Sequence, residues 1–103
     1  MSSLFTKIIA WEIPSDILYQ DDSFIVISDI KPETNTHLLI IPKKEIQTIN
    51  DIDADDKALM SDMIFLAKKI AKDFWVEKSY QLRLNVWGMQ EVMHIHMHLL
   101  SDL

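Results

Sequence analysis

His94, His96 and His98 occupy every second position of the run Val92-Met93-His94-Ile95-His96-Met97-His98-Leu99-Leu100, in an otherwise apolar stretch. Imidazole is the side chain whose ordinary pKa lies nearest neutral pH, so a group of them can bind a metal, move protons or attack an electrophile. In an extended strand successive side chains point to opposite faces. This predicts the three histidines on one face and Ile95, Met97 and Leu99 on the other, toward a core. A lone strand histidine is ordinarily a partly exposed surface residue, but three in phase point to a site.

A metal centre is one reading, since neutral imidazole is a common zinc ligand. The spacing opposes a site built from all three. At about 3.3 Å per residue, His94 and His98 stand roughly 13 Å apart along the backbone, too far to converge easily through bonds of about 2.1 Å. Two of them with a ligand from another strand would do better, and His37 is the remaining histidine of the chain. The other reading is nucleophilic catalysis, with one imidazole attacking and its neighbours orienting the substrate and moving protons. An imidazole is largely unprotonated near neutral pH and attacks phosphorus well, and His96 alone has a histidine on each side. No serine elbow or Gly-rich phosphate loop competes, as the chain has a single glycine.

Composition narrows the partners. The chain has 103 residues, enough for a single domain over 1–103, and its size favours self-association because so short a chain buries only about 60 to 65% of its unfolded surface. Hydrophobic residues at 49% and charged residues at 25% describe an ordinary globular protein with no apolar run long enough for a bilayer, so no membrane partner is expected. The net charge of -6 opposes a nucleic-acid polymer and leaves room for a mononucleotide. Cysteine is absent, which excludes thiolate chemistry and fits a reducing compartment. The first ten residues lack the basic and apolar regions of a signal peptide, and the expected location is the cytoplasm.

The elements that must hold the histidines follow from periodicity and punctuation. Ser3 caps a predicted short helix over Leu4 to Ala10, ended by Pro14. Ile17 to Gln20 and Phe24 to Ser28 read as a hairpin around Asp21-Asp22-Ser23, and Pro32 closes the second strand. His37 to Ile41 is a third strand, apolar enough to be buried on both faces, and it stops at Pro42-Lys43-Lys44. Asp53 caps a predicted helix reaching about Phe74, with Leu59, Met63, Leu66, Ile70 and Phe74 as its core stripe and its lysines on the solvated face. Tyr80 to Val86 and Met93 to Leu100 are the last strands, joined by Trp87 to Glu91 with Gly88 marking the turn. The order of elements predicts an α+β fold with a mainly antiparallel five-stranded sheet, one short helix and one long one.

The segment His94-Ile95-His96-Met97-His98-Leu99-Leu100 resembles the signature of the histidine triad (HIT) family, in which three histidines alternate with apolar residues. Lys7-Ile8-Ile9, Glu12-Ile13-Pro14-Ser15, Tyr19-Gln20-Asp21-Asp22, Asp29-Ile30, Pro32, His37 and Ile40-Ile41-Pro42 extend the resemblance to nearly the whole chain, in particular to the purine nucleoside phosphoramidase branch. The resemblance implies a HIT-like fold and a homodimer whose two sheets join into one of ten strands. It further implies hydrolysis of nucleoside phosphoramidates or acyl adenylates through a nucleotidyl-histidine intermediate, with no metal or other cofactor.

Carried to this sequence, the resemblance makes His96 the nucleophile, with His98 and His94 orienting the phosphate and leaving group and His37 in support. Asp29 corresponds to the carboxylate that accepts from the ribose hydroxyls. Leu4, Phe5, Ile8, Ile27 and Ile30 correspond to the purine enclosure, though residues of this type are ordinarily core. Asn85 and Gln90 match polar positions of the loop before the triad. Glu91 stands where other branches place a serine, and a solvated loop glutamate is the plain alternative. Two departures are visible: a shortened segment from Asn85 to His94 with Gly88-Met89 in place of a Gly-Gly pair, and an end at Ser101-Asp102-Leu103 where relatives continue into a tail. The altered loop keeps open a rival reading, a nucleotide-binding module with little or no catalysis.

Overall fold

A computed structural model describes residues 3–103. The short helix α1 spans Leu4–Ile9 and is followed by strands β1 (Ile17–Gln20), β2 (Phe24–Ser28) and β3 (Thr36–Pro42). The long helix α2 (Lys57–Asp73) then leads to β4 (Gln81–Leu84) and β5 (Met97–Ser101). All neighbouring strands are antiparallel, in the order β1-β2-β3-β5-β4. The expected α+β architecture with a five-stranded antiparallel sheet is therefore present.

Local chemistry explains most boundaries. Ser3 Oγ accepts from Thr6 N at 3.0 Å and opens α1. Asp21 Oδ1 accepts from the backbone N–H groups of Ser23 and Phe24, both at 2.8 Å, and closes the β1–β2 hairpin. Asp53 caps a 3₁₀ turn, Ala54–Asp56, that runs directly into α2. Both helices end in a Schellman motif: Trp11 N and Glu12 N reach back to Ile8 O and Lys7 O, and Trp75 N and Val76 N to Lys72 O and Ala71 O. The left-handed residue of each motif, ordinarily glycine, is here a tryptophan, with φ of 63° at Trp11 and 62° at Trp75.

Each sheet face carries its own core, because alternate residues of β2 and β3 are buried on opposite sides. On one side Val26, Leu38, Ile40, Met97 and Leu99 pack against Met63, Leu66 and Ile70 of α2. On the other, Ile25, Ile27, Leu39 and Ile41 pack with Phe5 and Ile8 of α1.

Three expectations need correction. The final strand begins at Met97 rather than Met93, so His94 and His96 precede the ladder, and the residue between them is tied elsewhere, Ile95 N to Ile46 O at 2.7 Å. Strand β4 is also shorter than the predicted 80–86 stretch. Phe74 is the partly exposed C-cap of α2, because Trp75 turns the chain back and delivers Val76 to the core in its place. Gly88 sits at the centre of the 3₁₀ turn Trp87–Met89, as expected, and the left-handed residue of that loop is Trp87, at 55°.

Candidate active site

A single row of side chains crosses the second face of the sheet. In register, Ile17 pairs with Ile27, Ile27 with Leu39, Leu39 with His98, and His98 with Arg83. Directly opposed residues share a face, so His98 stands among aliphatic neighbours with a guanidinium on its far side. Ile27, Leu39, His98 and Arg83 form the floor of a cavity of about 340 Å³, within the range of small-molecule sites.

Around that floor are Leu4, Phe5 and Ile8 from α1, Ser28 at the end of β2 with Asp29 and Ile30 after it, and Asn85, Glu91 and Val92 from the loop before the triad, with His96 at the centre. Ten of the thirteen residues expected at the site thus line one cavity. Leu4 and Ile30 stand at its mouth with much of their surface in solvent. Gln90 lies outside it and fastens the loop: Nε2 donates to Gln47 O at 2.9 Å and Val92 O at 3.1 Å, and Oε1 accepts from Trp87 N at 2.9 Å.

All four histidines show from their partners which nitrogen holds the proton. His96 Nδ1 lies 2.8 Å from His94 O. A carbonyl only accepts, so Nδ1 carries the proton and Nε2 keeps its lone pair. His37 Nδ1 accepts from Glu33 N–H at 3.1 Å, which places its proton on Nε2, 2.8 Å from His98 Nδ1 and 3.4 Å from Asp29 Oδ2. His98 Nδ1 is therefore an acceptor, and the neutral ring carries its proton on Nε2; Asn85 Nδ2, 3.4 Å away, is itself a donor, so that contact becomes a hydrogen bond only with the amide turned to present Oδ1.

His94 sits differently. Its Nε2 donates to Pro42 O at 2.7 Å, while Nδ1 faces the hydroxyls of Ser3 at 3.1 Å and Thr6 at 3.3 Å. Fully buried and outside the cavity lining, His94 ties β3 and α1 to the triad segment. The ring of Phe5 meets both His94 and His96 edge-on, with centroids 6.0 and 5.0 Å away.

Burial pushes all three triad imidazoles below their ordinary pKa. For His98, burial is followed by the charges of His96, Arg83 and His37, against an opposing pull from Asp29, and the result is about 4. For His96 the hydrogen bond to His94 O and the charges of Asp29 and Glu91 oppose burial without cancelling it. At neutral pH the cavity holds an unprotonated imidazole with a free lone pair beside a second one that donates. Such a pair can attack an electrophile and hydrogen-bond the oxygens around it.

Donor atoms of Asp29, His37 and His98 lie within 4.8 Å of one another. Two nitrogens sharing a tetrahedral zinc would stand about 3.4 Å apart with the ion between them. His37 Nε2 and His98 Nδ1 are instead at hydrogen-bond distance, 2.8 Å, and fit a proton-sharing pair.

Sequence reasoning missed Lys31, Glu33, Leu39, Arg83 and Met89, which also line the cavity. Leu39 and Arg83 arrive through strand register, which no local pattern specifies. Ser3 was legible as a cap, but its contact with His94 joins residues 91 positions apart.

Comparison with known proteins agrees with the geometry. A family model described as "Scavenger mRNA decapping enzyme C-term binding" matches residues 2–103. The purine nucleoside phosphoramidase of Escherichia coli is 48% identical over 102 residues, covering 96% of this chain and 86% of that protein. A HIT family hydrolase from Legionella pneumophila superposes with a TM-score of 0.95 at 44% identity, over 99% of this chain and 94% of the other. A HIT family hydrolase from Clostridium thermocellum gives 0.93 at 38% identity, over 99% and 91%. The triad, the sheet that carries it and these relatives together establish that the chain belongs to the histidine triad family, as a HIT-family hydrolase.

Proposed function

We propose that the protein hydrolyses purine nucleoside phosphoramidates or acyl adenylates through a covalent nucleotidyl-His96 intermediate. One observation carries the reading: His96 Nδ1 is committed to His94 O at 2.8 Å, which leaves the Nε2 lone pair for the cavity. In this mechanism Nε2 attacks the α-phosphorus and a P–N bond forms as the bond to the leaving group breaks, a carboxylate departing as the anion and an amine taking up a proton from solvent. Water then attacks the same phosphorus and gives up a proton, the P–N bond to His96 breaks, and the nucleotide leaves. His98 donates Nε2–H to a phosphoryl oxygen, Asn85 shares that side, and His37 holds His98 in the required tautomer. His94 acts on the phosphate and leaving group through its carbonyl, which orients His96. Asp29 accepts from the ribose, Leu4, Phe5, Ile8, Ile27 and Ile30 enclose the purine, Glu91 stands by the leaving group, and Gln90 secures the loop between them.

The reading extends to a cytoplasmic homodimer. Its support is that β4 is an edge strand and that exposed Phe65 shares a groove with Tyr80 just before it. An exposed edge, beside a groove that sets Phe65 and Tyr80 among Lys68, Lys69, Lys72 and Glu77, suits pairing with a second copy into ten strands. Among the described residues no helix is long and apolar enough to cross a membrane.

The test is release of AMP from an adenosine phosphoramidate. Wild type should turn over, and His96→Ala should lose at least about a thousandfold in kcat while still binding AMP. Normal turnover by His96→Ala would assign the nucleophile elsewhere. A second reading, nucleotide binding with little catalysis, is favoured by the Trp87–Met89 turn, which sets an exposed methionine at the cavity mouth. Calorimetric AMP binding without product from any adenylate would select it.

A further inference from the structure

We propose that Arg83 is a positioning residue: paired with Glu33, it clasps β4 to the loop between β2 and β3 and so fixes which ring nitrogen His98 turns to the cavity. The inference rests on the reading of His98 as a donor to the phosphate.

Glu33 belongs to the loop that leaves β2 at Ser28 and enters β3 at Thr36. It makes two contacts at once. Its backbone N–H donates to His37 Nδ1 at 3.1 Å, and its carboxylate takes both terminal nitrogens of Arg83, with Nη1 to Oε1 at 3.4 Å. Arg83 lies beside His98 in the ladder, so the fork starts from the strand next to the ring it governs. Bidentate guanidinium–carboxylate pairs fix direction as well as distance, which suits a clasp.

The backbone donor matters because the relay is reversible. With Glu33 N–H on His37 Nδ1, the shared proton belongs to His37 Nε2, and His98 must carry its own proton on Nε2. Without that donor, His37 can move its proton to Nδ1 and accept from His98 Nδ1–H. His98 would then turn a lone pair toward the phosphate, and the donor at the reacting centre would be gone.

Two observations separate this role from general stability. Both partners of the Arg83–Glu33 pair have about a third to a half of their side-chain surface in solvent, and ion pairs so exposed add little to folding. Arg83 Nε, by contrast, is buried with no hydrogen-bond partner among the described residues. The guanidinium keeps that unmade bond while its terminal nitrogens hold the carboxylate. The charged and titratable groups around His98 are His96, His37, Asp29, Arg83 and Glu33, and the Arg83 charge also opposes protonation of the ring.

The test is ¹⁵N NMR of the histidine rings, with kinetics of AMP release, on wild type, Arg83→Gln, Glu33→Gln, the double variant and Arg83→Lys. Wild type should hold His98 as the Nε2–H tautomer. In each single glutamine variant His98 should shift toward Nδ1–H, and kcat should fall about tenfold, as for other residues that orient a reacting group. The double variant should be no worse than either single one, because the pair acts as a unit, and Arg83→Lys should restore part of the tautomer. An unchanged His98 tautomer in both single variants overturns the proposal, and a shifted tautomer with unchanged kcat overturns the donor role of His98 on which it rests. If wild type releases no AMP, the ring spectra alone decide the clasp, and the failure belongs to the proposed function.

Discussion

His37 Nε2 lies 2.8 Å from His98 Nδ1, and the proton between them belongs to His37, because Glu33 N–H already occupies the other His37 nitrogen. The supporting imidazole thus acts on the cavity without entering it. It decides what His98 offers, much as a histidine bound to a metal is oriented by the partner on its second nitrogen.

The triad makes stability depend on pH. His98 is held down to about 4, and His96 and His94 are also pushed down, whereas each titrates near 6.5 in the unfolded chain. Above about pH 6.5 both states are neutral and these groups contribute no slope. As pH falls from about 6.5 to about 4, the unfolded state binds the extra protons and stability declines, by on the order of 3 kcal/mol for His98. Urea midpoints measured from about pH 7.5 to about pH 4.5 should fall steadily below about 6.5. A flat series would contradict neutral, buried imidazoles.

Asp29 is expected to bind substrate more than it drives chemistry. A charge-assisted hydrogen bond of about 1.5–3 kcal/mol corresponds to roughly 10- to 100-fold, so Asp29→Ala should raise KM for a ribonucleotide substrate by that order. Its Oδ2 also lies 3.4 Å from His37 Nε2. A 2′-deoxyribonucleotide substrate separates the two contacts: loss of the ribose contact spares it, whereas loss of the His37 contact lowers kcat for both substrates.

Trp75→Gly should stabilise the protein. The residue is 87% exposed and occupies the left-handed position of a Schellman motif, where a side chain costs about 1–2 kcal/mol that glycine avoids. After the entropy cost of glycine, a gain of about 0.5–1 kcal/mol remains, or a few degrees in Tm by calorimetry. Trp75→Val should move Tm the other way, since a branched side chain tolerates that φ even less.

Phe65→Asp should shift the proposed dimer toward monomer. Phe65 is largely exposed beside Tyr80 in a groove that Lys68, Lys69 and Lys72 also line, and the substitution removes the aromatic surface a second copy would cover while leaving the core of each monomer intact. Light scattering at micromolar concentration reads the result. A wild-type monomer, or a variant as dimeric as wild type, would remove this face from the interface.

The sequence made the elements legible where periodicity and caps agree: Ser3, Asp21 and Asp53 do locally what their residue types suggest. The three histidines identified the site but not its geometry. Alternation suggested one common face, whereas the ladder begins only at Met97, and His94 turns both nitrogens to protein groups. Arg83 and Leu39 reach the cavity through register, a long-range property set by five strands at once. Gly88 marked its turn, but nothing local showed that the left-handed backbone there, usually glycine's province, is assigned to tryptophan in this chain.

That assignment has a spectroscopic consequence. All three indoles of the chain stand at the surface, at Trp11, Trp75 and Trp87, so their emission in the native protein should already resemble that of tryptophan in water. Intrinsic fluorescence will then be nearly blind to melting of the core, and circular dichroism is the appropriate probe. The same placement makes Trp87, two residues from the cavity-lining Met89, a native reporter of events at the cavity mouth.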